Sequence, residues 1–426
     1  MKPEKFTARV FIFVIIAFML LSVYGIGART KKLIDTSKAG ANIEWEKLYP
    51  FYEESEKTKS ARFSPLMNLY RNIKNKLELY VSEKMPGYYS FVEAAKKYED
   101  VLKWNMVSVL DYNAVVRLKD GYFTSYMPSL DVTHDAEAVK GLADFCAGKG
   151  IDFAYINFPA KICKSEDRNI SGILDFTNQN ADKLLAMLKE SGVRHYDFRE
   201  NLHKRWDGRH HAAFFVTDLH WKSETGLWAA GEILKILRDD FGYDVNPAVL
   251  SPENFEYVVY PASLLGSEGK KVTLARAKPE DFTVIYPKFA TALNVEVPMM
   301  LLNISGDFRV TYDVDESKMG DYYGGSPGIL YNHGNNPLVR IKNMNKPSGK
   351  KIIFVHDSFS HTVIPFAALE LQHVDAVDLR QFTGSLRRFI EQEKPDAVIV
   401  EYYSVMPGKY SSPNVTNEDQ RLYNFQ

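Results

Sequence analysis

Two stretches carry residues that together could activate an alcohol. In KIIFVHDSFS (351–360) a β-branched apolar run ends at Ser358, flanked by Asp357 and Phe359. In VTDLHWKSETG (216–226) Asp218 and His220 stand two positions apart. A serine hydroxyl is a poor nucleophile until a base takes its proton. An imidazole whose Nδ1–H is held by a carboxylate is fixed in the tautomer that leaves Nε2 free for that task. Residues two apart on a helix face away from each other, so the pair requires an irregular turn. The separation of roughly 140 residues is no obstacle, because such triads are defined by geometry. Two plainer readings compete. Ser358 suits a helix N-cap, and His210 and His211 of RHH (209–211) make a His/Asp metal cluster near Asp218 conceivable. No HxxxH or CxxC spacing supports that cluster, and no metal or cofactor is expected.

These side chains need a scaffold. AEAVKGLADFCAGKG, NQNADKLLAMLKESG (178–192) and SETGLWAAGEILKILRDDFG (223–242) read as helices, the first two closed by Gly150 and Gly192. IDFAYINF (151–158), VRHYDF (193–198), KIIFV, HVDAVDL and DAVIVEYY (396–403) read as strands, with TGSLRRFIEQE helical before the last. This alternation predicts an α/β domain over about 111–405, a doubly wound parallel sheet with helices on both faces. Ser358 then projects from the carboxyl edge of the sheet, where open α/β sheets bind ligands. The helix start behind it offers backbone N–H groups for an oxyanion. AVVRLKDGYFTSY predicts a hairpin about Lys119-Asp120-Gly121. Residues 243–345 break the alternation with short β-like runs (FEYVVY, KKVTLA, FTVIY, FRVTY) and read as a β-rich insertion. Residues 406–426 read as a loose polar tail.

Composition sets limits. With 426 residues, 45% of them hydrophobic, the chain can bury one large domain with an appendage, or two domains. A net charge of −1 and a pI near 6.8 give no basic face for nucleic acid. VFIFVIIAFMLLSVYGIG (10–27) has no charged residue. As a helix it spans about 27 Å, near the thickness of a bilayer core. Lys2, Lys5 and Arg9 favour a cytoplasmic N-terminus (1–9), while Arg29, Lys31 and Lys32 weaken that orientation. An uncleaved anchor is preferred, because the run is long for a signal peptide; a signal cleaved near Gly25–Ala28 is the alternative. Either way the rest of the chain is exported. Residues 28–110 carry apolar residues at helical spacing, punctuated by Pro50, Pro65 and Pro86, and read as a helical stalk. Cys146 and Cys163 are the only cysteines. Export permits a disulfide, but apolar neighbours make two buried thiols as good a reading. Neither has a motif partner for nucleophilic or metal chemistry.

TDLHW, then Gly226, then HDSFS resembles the DHHW-type, AlgX/AlgJ-like branch of the SGNH hydrolase superfamily. That branch comprises bacterial membrane-anchored or periplasmic proteins linked to O-acetylation of extracytoplasmic polysaccharides. The resemblance covers most of 110–405 and includes GYFTSY, LLGSEGKK (264–271), DFTVIYPKF (281–289) and NHGNNPLVRIKN (332–343). Motif order is distinctive: Asp-x-His precedes Ser, where ordinary SGNH hydrolases have the reverse. The resemblance implies Ser358 as nucleophile, His220 as general base and acid, Asp218 as its orienting partner, Asp357 as a hydrogen-bonder of the turn and Trp221 packed beneath the Asp-x-His loop. The sequence departs from the pattern at Leu219, where His or Thr is usual, at His356, where Gly is usual, and at Asn336, where His is usual. By the same resemblance Asn335 is assigned to an oxyanion or substrate pocket, against the plainer reading of a loop Asn satisfying its own turn. Lys270, Lys271 and Arg340 could meet an acidic polymer, against the plainer reading of ordinary solvated charges.

Three functions follow as expectations. The first is a membrane-anchored, extracytoplasmic O-acetyltransferase of a bacterial cell-surface or exported polysaccharide, supplied with acyl groups by a membrane-bound O-acyltransferase. The second is an acetylesterase of the same fold. The third is a catalytically degenerate glycan-binding or scaffold protein, for which His356 and Leu219 are the motivating oddities.

Overall fold

A computed structural model describes residues 115–118, 120–164, 175–323, 328–411 and 419–426. The proposed anchor (10–27) and stalk (28–110) lie outside these residues. Among the described residues no helix is long and apolar enough to cross a membrane.

The elements follow in chain order. β1 (Val116–Arg117) and β2 (Phe123–Thr124) form the expected hairpin, with Gly121 at φ +93°. Next come α1 (Thr133–Ala147), β3 (Asp152–Phe158), α2 (Thr177–Glu190), β4 (His195–Asp197), α3 (Arg199–Arg205) and α4 (Ser223–Asp239). The middle of the chain gives β5 (Phe255–Leu264), α5 (Ser267–Val272), β6 (Glu280–Pro287), β7 (Leu293–Val297), β8 (Leu302–Gly306), β9 (Tyr312–Val314), β10 (Ile329–Tyr331) and β11 (Leu338–Asn343). The remainder is β12 (Lys351–His356), α6 (Ile364–Ala367), β13 (His373–Val377), α7 (Leu386–Glu393) and β14 (Ala397–Tyr403).

One eight-stranded sheet organises the site, in the order β4-β3-β14-β12-β13-β11-β7-β8. The strands from β4 to β13 run parallel. β14 is buried at every residue and β12 at all but Lys351, as expected where both faces of a parallel sheet are covered. The chain leaves β3 toward β4 on one side and β12 toward β13 on the other, with β14 between. The carboxyl ends of β3, β14 and β12 therefore flank the crevice where such sheets bind ligands.

The sheet is mixed, which corrects the expectation of a parallel sheet with a separate β-rich insertion. β11, β7 and β8 come from 243–345, yet they extend the main sheet antiparallel. Burial alternates along β7, with Leu293, Val295 and Val297 buried against Asn294 and Glu296, the pattern of a strand with one covered face, while the edge strand β8 has no buried residue. Among the described residues of 243–345, only β5–β6 and β9–β10 form ribbons separate from that sheet. KKVTLA is not β-like: its first three residues close α5, which ends at Thr273 with φ +63°. FRVTY is mostly a 3-10 turn, Phe308–Thr311, ahead of β9.

The chain terminus is not a loose tail. Among residues 419–426, Leu422, Tyr423 and Phe425 are buried. The Tyr402 hydroxyl donates to the carbonyl of Leu422 at 2.6 Å, and Leu386 N–H donates to the carbonyl of Gln426 at 2.9 Å. The aromatic residues of QRLYNFQ outweigh its polar ones, because each removes a large apolar area from water. Cys146 and Cys163 are buried and are not joined in a disulfide.

Candidate active site

Ser358 comes two residues after His356, the last residue of β12, and opens a 3-10 turn, Ser358–Thr362. It does not cap that turn. Asp357 does, its Oδ1 accepting from Phe359 N–H at 2.9 Å while Oδ2 accepts from Tyr403 N–H at 2.8 Å. The capping role thus falls on the buried neighbour, and the half-buried Ser358 hydroxyl is left for the crevice. His356 takes its place without left-handed backbone: it is not among the residues of positive φ, so a Cβ costs nothing there. It is buried, and its Nδ1 lies 2.8 Å from the carbonyl of Asp357.

Asp218 and His220 lie on a tight reversal whose arms meet at the Phe214–Trp221 bridge. Phe215 N–H donates to the carbonyl of His220 at 3.2 Å, and Lys222 N–H to that of Ala213 at 2.9 Å. The irregular turn demanded by the two-residue spacing is therefore present. His220 Nδ1 is 2.5 Å from Asp218 Oδ1, and His220 Nε2 is 2.7 Å from Ser358 Oγ. With Nδ1–H donated to the carboxylate, Nε2 carries the lone pair that faces the hydroxyl. Exposure rises along the chain of contacts, from 13% for the Asp218 side chain to 33% for that of His220.

The surroundings keep Asp218 ionised. Burial pushes its carboxyl up, but the charge and ring N–H of His220 and the amides of His220 and Ser267 outweigh this, holding it below its ordinary value. Ser267 N–H reaches Oδ2 at 2.7 Å. Gly266 gives the close approach this requires: a Cβ there would stand 2.5 Å from the carbonyl oxygen of Thr217. Beneath the reversal, the Glu280 carboxylate accepts from Val216 N–H at 2.7 Å, Thr217 N–H at 2.6 Å and the Thr217 hydroxyl at 2.6 Å. Buried Lys161 donates to the carbonyls of Phe123, at 2.6 Å, and of Asp218. Burial lowers its pKa, opposed by the charges of Glu268, Asp218 and Glu280.

Trp221 packs as expected. It is buried against Phe158 and Phe359, and its Nε1–H reaches the carbonyl of Phe359 and the hydroxyl of Thr362, each at 3.0 Å. It braces the histidine-bearing reversal against the serine-bearing turn. Leu219 is half-buried.

The other sequence-derived residues divide. Asn335 is exposed in the loop before β11. That strand enters opposite the end of β13 (Leu338 with Val377), so the loop lies at the sheet edge that carries Ser358. Lys270 is half-buried and Lys271 exposed, both on α5, whose first residue binds Asp218. Arg340 is not at that edge. Mid-strand on β11, it is bound to Glu393 at 2.8 Å and faces Asp375 at 3.6 Å, so its charge is taken up within the fold. Asn336 is buried and donates to the carbonyl of His333 at 2.9 Å. His211 is half-buried, and His210 is buried against the carbonyl of Ala160 at 2.7 Å instead of joining Asp218.

Sequence reasoning missed Lys161, Glu280, Ser267 and Glu401. A lysine three residues after the buried strand of INFPAK, and a carboxylate inside AVIVEYY, were visible signals. Glu401 is buried, sits in register with His356, and is pushed well up by that burial. The donors gathered by Glu280 and Ser267 have no linear signature.

No family model matches the sequence, and no curated protein is significantly similar to it. Solved structures are similar in fold. PatB1 of Bacillus cereus has a TM-score of 0.58 at 16% identity, over 69% of this chain and 97% of that one. A second structure of PatB1, with a sulfonyl adduct, has a TM-score of 0.55 at 14% identity, over 72% and 99%. A DHHW family protein from Eubacterium siraeum has a TM-score of 0.52 at 15% identity, over 73% and 94%. These likenesses show that this chain shares its fold with PatB1 and with the DHHW family protein.

Proposed function

We propose that this chain is a membrane-anchored, extracytoplasmic serine O-acetyltransferase acting on a bacterial cell-surface or exported polysaccharide. One observation carries the reading: the two nitrogens of His220 are engaged at 2.5 and 2.7 Å by a carboxylate on one side and a serine hydroxyl on the other. That is the arrangement acyl transfer needs. Motif order and the resemblance to the polysaccharide O-acetylation branch supply the substrate class.

In the first half-reaction Ser358 Oγ attacks the carbonyl carbon of an acyl donor while His220 Nε2 takes its proton. Asp218 stabilises the imidazolium so formed. The negative charge on the tetrahedral oxygen is met by backbone N–H groups that include Ser358, whose amide opens a 3-10 turn and has no acceptor within it. The leaving group departs with the proton from Nε2, giving acetyl-Ser358. In the second half a sugar hydroxyl gives its proton to Nε2, attacks the acyl carbon and releases Oγ, which recovers the proton. Asn335 and the two lysines of α5 serve the polymer at the crevice rim. Residues 10–27 hold the domain on the outer side of the membrane, where a multipass O-acyltransferase hands over the acyl group.

Water in place of the sugar makes the same machinery an acetylesterase, a reading favoured by the partial exposure of His220. The full chain, purified in mild detergent, is given a chromogenic acetate ester with and without oligosaccharide, and the products are weighed by mass spectrometry. An acetyl adduct on Ser358 and an acetylated sugar support transfer. Acetate alone supports the esterase. No turnover, with wild type and Ser358→Ala binding glycan equally, overturns both in favour of a scaffold.

A further inference from the structure

We infer that Cys163, His203 and His210 form a zinc site beside the β3 crevice, independent of the Asp218–His220–Ser358 group. One ligand atom from each lies within 4.8 Å of the other two. Cys163 Sγ and His203 Nδ1 are 3.6 Å apart. Zn–S and Zn–N bonds of about 2.3 and 2.0–2.1 Å in tetrahedral geometry place such a pair roughly 3.5 Å apart, so it already stands at bridging distance. His210 Nε2, 2.7 Å from the carbonyl of Ala160, is suited to donate its N–H there. A backbone carbonyl in that position is the usual outer partner of a ligating imidazole, and it leaves Nδ1 with the lone pair.

The donor set selects the ion. One thiolate and two neutral imidazoles are borderline-soft ligands that suit zinc and do not suit magnesium or calcium. Binding breaks the Cys163 S–H bond, releases one proton to solvent and forms a Zn–S bond; both histidines bind neutral, and water fills the fourth position. Cys163 and His210 are buried, while half-buried His203 gives the route of access. The site joins three segments. Cys163 lies two residues after Lys161, His203 is on α3, and His210 begins the turn His210–Ala213 that leads into the Asp-x-His reversal. Zinc here would pin the base of that reversal. Cys163, His203 and His210 follow no metal-binding spacing, so their grouping is not visible in the linear sequence.

The full chain, purified in mild detergent without a histidine tag, is dialysed with zinc chloride and passed over a desalting column. Elemental analysis is expected to find close to one zinc per chain, falling at least tenfold in Cys163→Ser and in His203→Gln. Cobalt chloride in place of zinc is expected to give a thiolate-to-cobalt charge-transfer band that Cys163→Ser lacks. Thermal denaturation without metal checks that each variant folds; if Cys163→Ser does not, His203→Gln decides the outcome. Less than a tenth of a zinc per wild-type chain, unchanged stoichiometry in a folded variant, or a cobalt complex with no thiolate band overturns the site and leaves a Cys–His hydrogen bond in its place.

Discussion

Gly226→Ala tests the geometry of the proposed triad without touching any of its members. Gly226 lies in the first turn of α4 against the serine-bearing turn. A Cβ there would stand 2.6 Å from Thr362 Cβ, and nearer still to the backbone oxygen and hydroxyl of Thr362. Carbon atoms rest at about 3.5–4.0 Å, so the two segments must part by about 1 Å. α4 starts three residues after His220, and Thr362 lies four residues after Ser358. The wedge therefore acts on the 2.7 Å contact between Nε2 and Oγ. Passed on in full, it opens that contact to about 3.7 Å, beyond hydrogen-bond range. It also strains the Trp221 strut to Thr362. A 1 Å misplacement costs on the order of 100-fold in rate, and overpacking costs about 1–3 kcal/mol of stability. Gly231→Ala is the control. It lies on the same helix with nothing within 4 Å of its Cβ, and it should stabilise α4 by roughly 0.5–1 kcal/mol with unchanged turnover. Ester hydrolysis rates and urea midpoints of the two variants read both effects. A folded Gly226→Ala enzyme within threefold of wild type, or an equal loss in Gly231→Ala, refutes the reasoning.

Other substitutions probe the supports. Asp218→Asn should lower kcat/KM by about 10³–10⁴-fold, because an amide cannot hold the imidazolium or fix its tautomer. The Asp218 carboxyl is held below its ordinary value, so its stabilisation is present above about pH 4 and lost as pH falls toward the folded value. Denaturation at pH 3 and 7 should show a smaller acid loss in the variant. Asp357 behaves oppositely. Burial raises its carboxyl to about 6, so the stability linked to it is full below about pH 4 and gone above 6. Asp357→Asn should remove roughly 2 kcal/mol of the decline between pH 4.5 and 7 seen in urea titrations. Lys161→Met leaves the carbonyls of Phe123 and Asp218 without their buried donor. It should cost about 2–5 kcal/mol in denaturant unfolding, and a cost under 0.5 kcal/mol would refute a role for Lys161 in holding the reversal.

Much about this protein was legible in the sequence, for local reasons. Strand and helix alternation follows from apolar periodicity and from Gly at helix ends, and both are properties of neighbouring residues. Asp218 and His220 stood out because two positions in a tight turn bring a carboxylate to an imidazole. Ser358 stood out because an apolar strand ended on it. Tertiary structure decided the rest. Strand direction within 243–345 depends on which sheet edge remains open, so β7, β8 and β11 joined the main sheet although their sequences only announced alternation. Arg340 became a structural ion pair because its register set it between Glu296 and Asp375. Lys161, Glu280 and Ser267 came to the Asp-x-His reversal from distant segments, to satisfy buried backbone groups that no local pattern reveals. The same holds for Cys163, His203 and His210: donor chemistry is written residue by residue, but convergence within bonding range is a property of the packed chain alone.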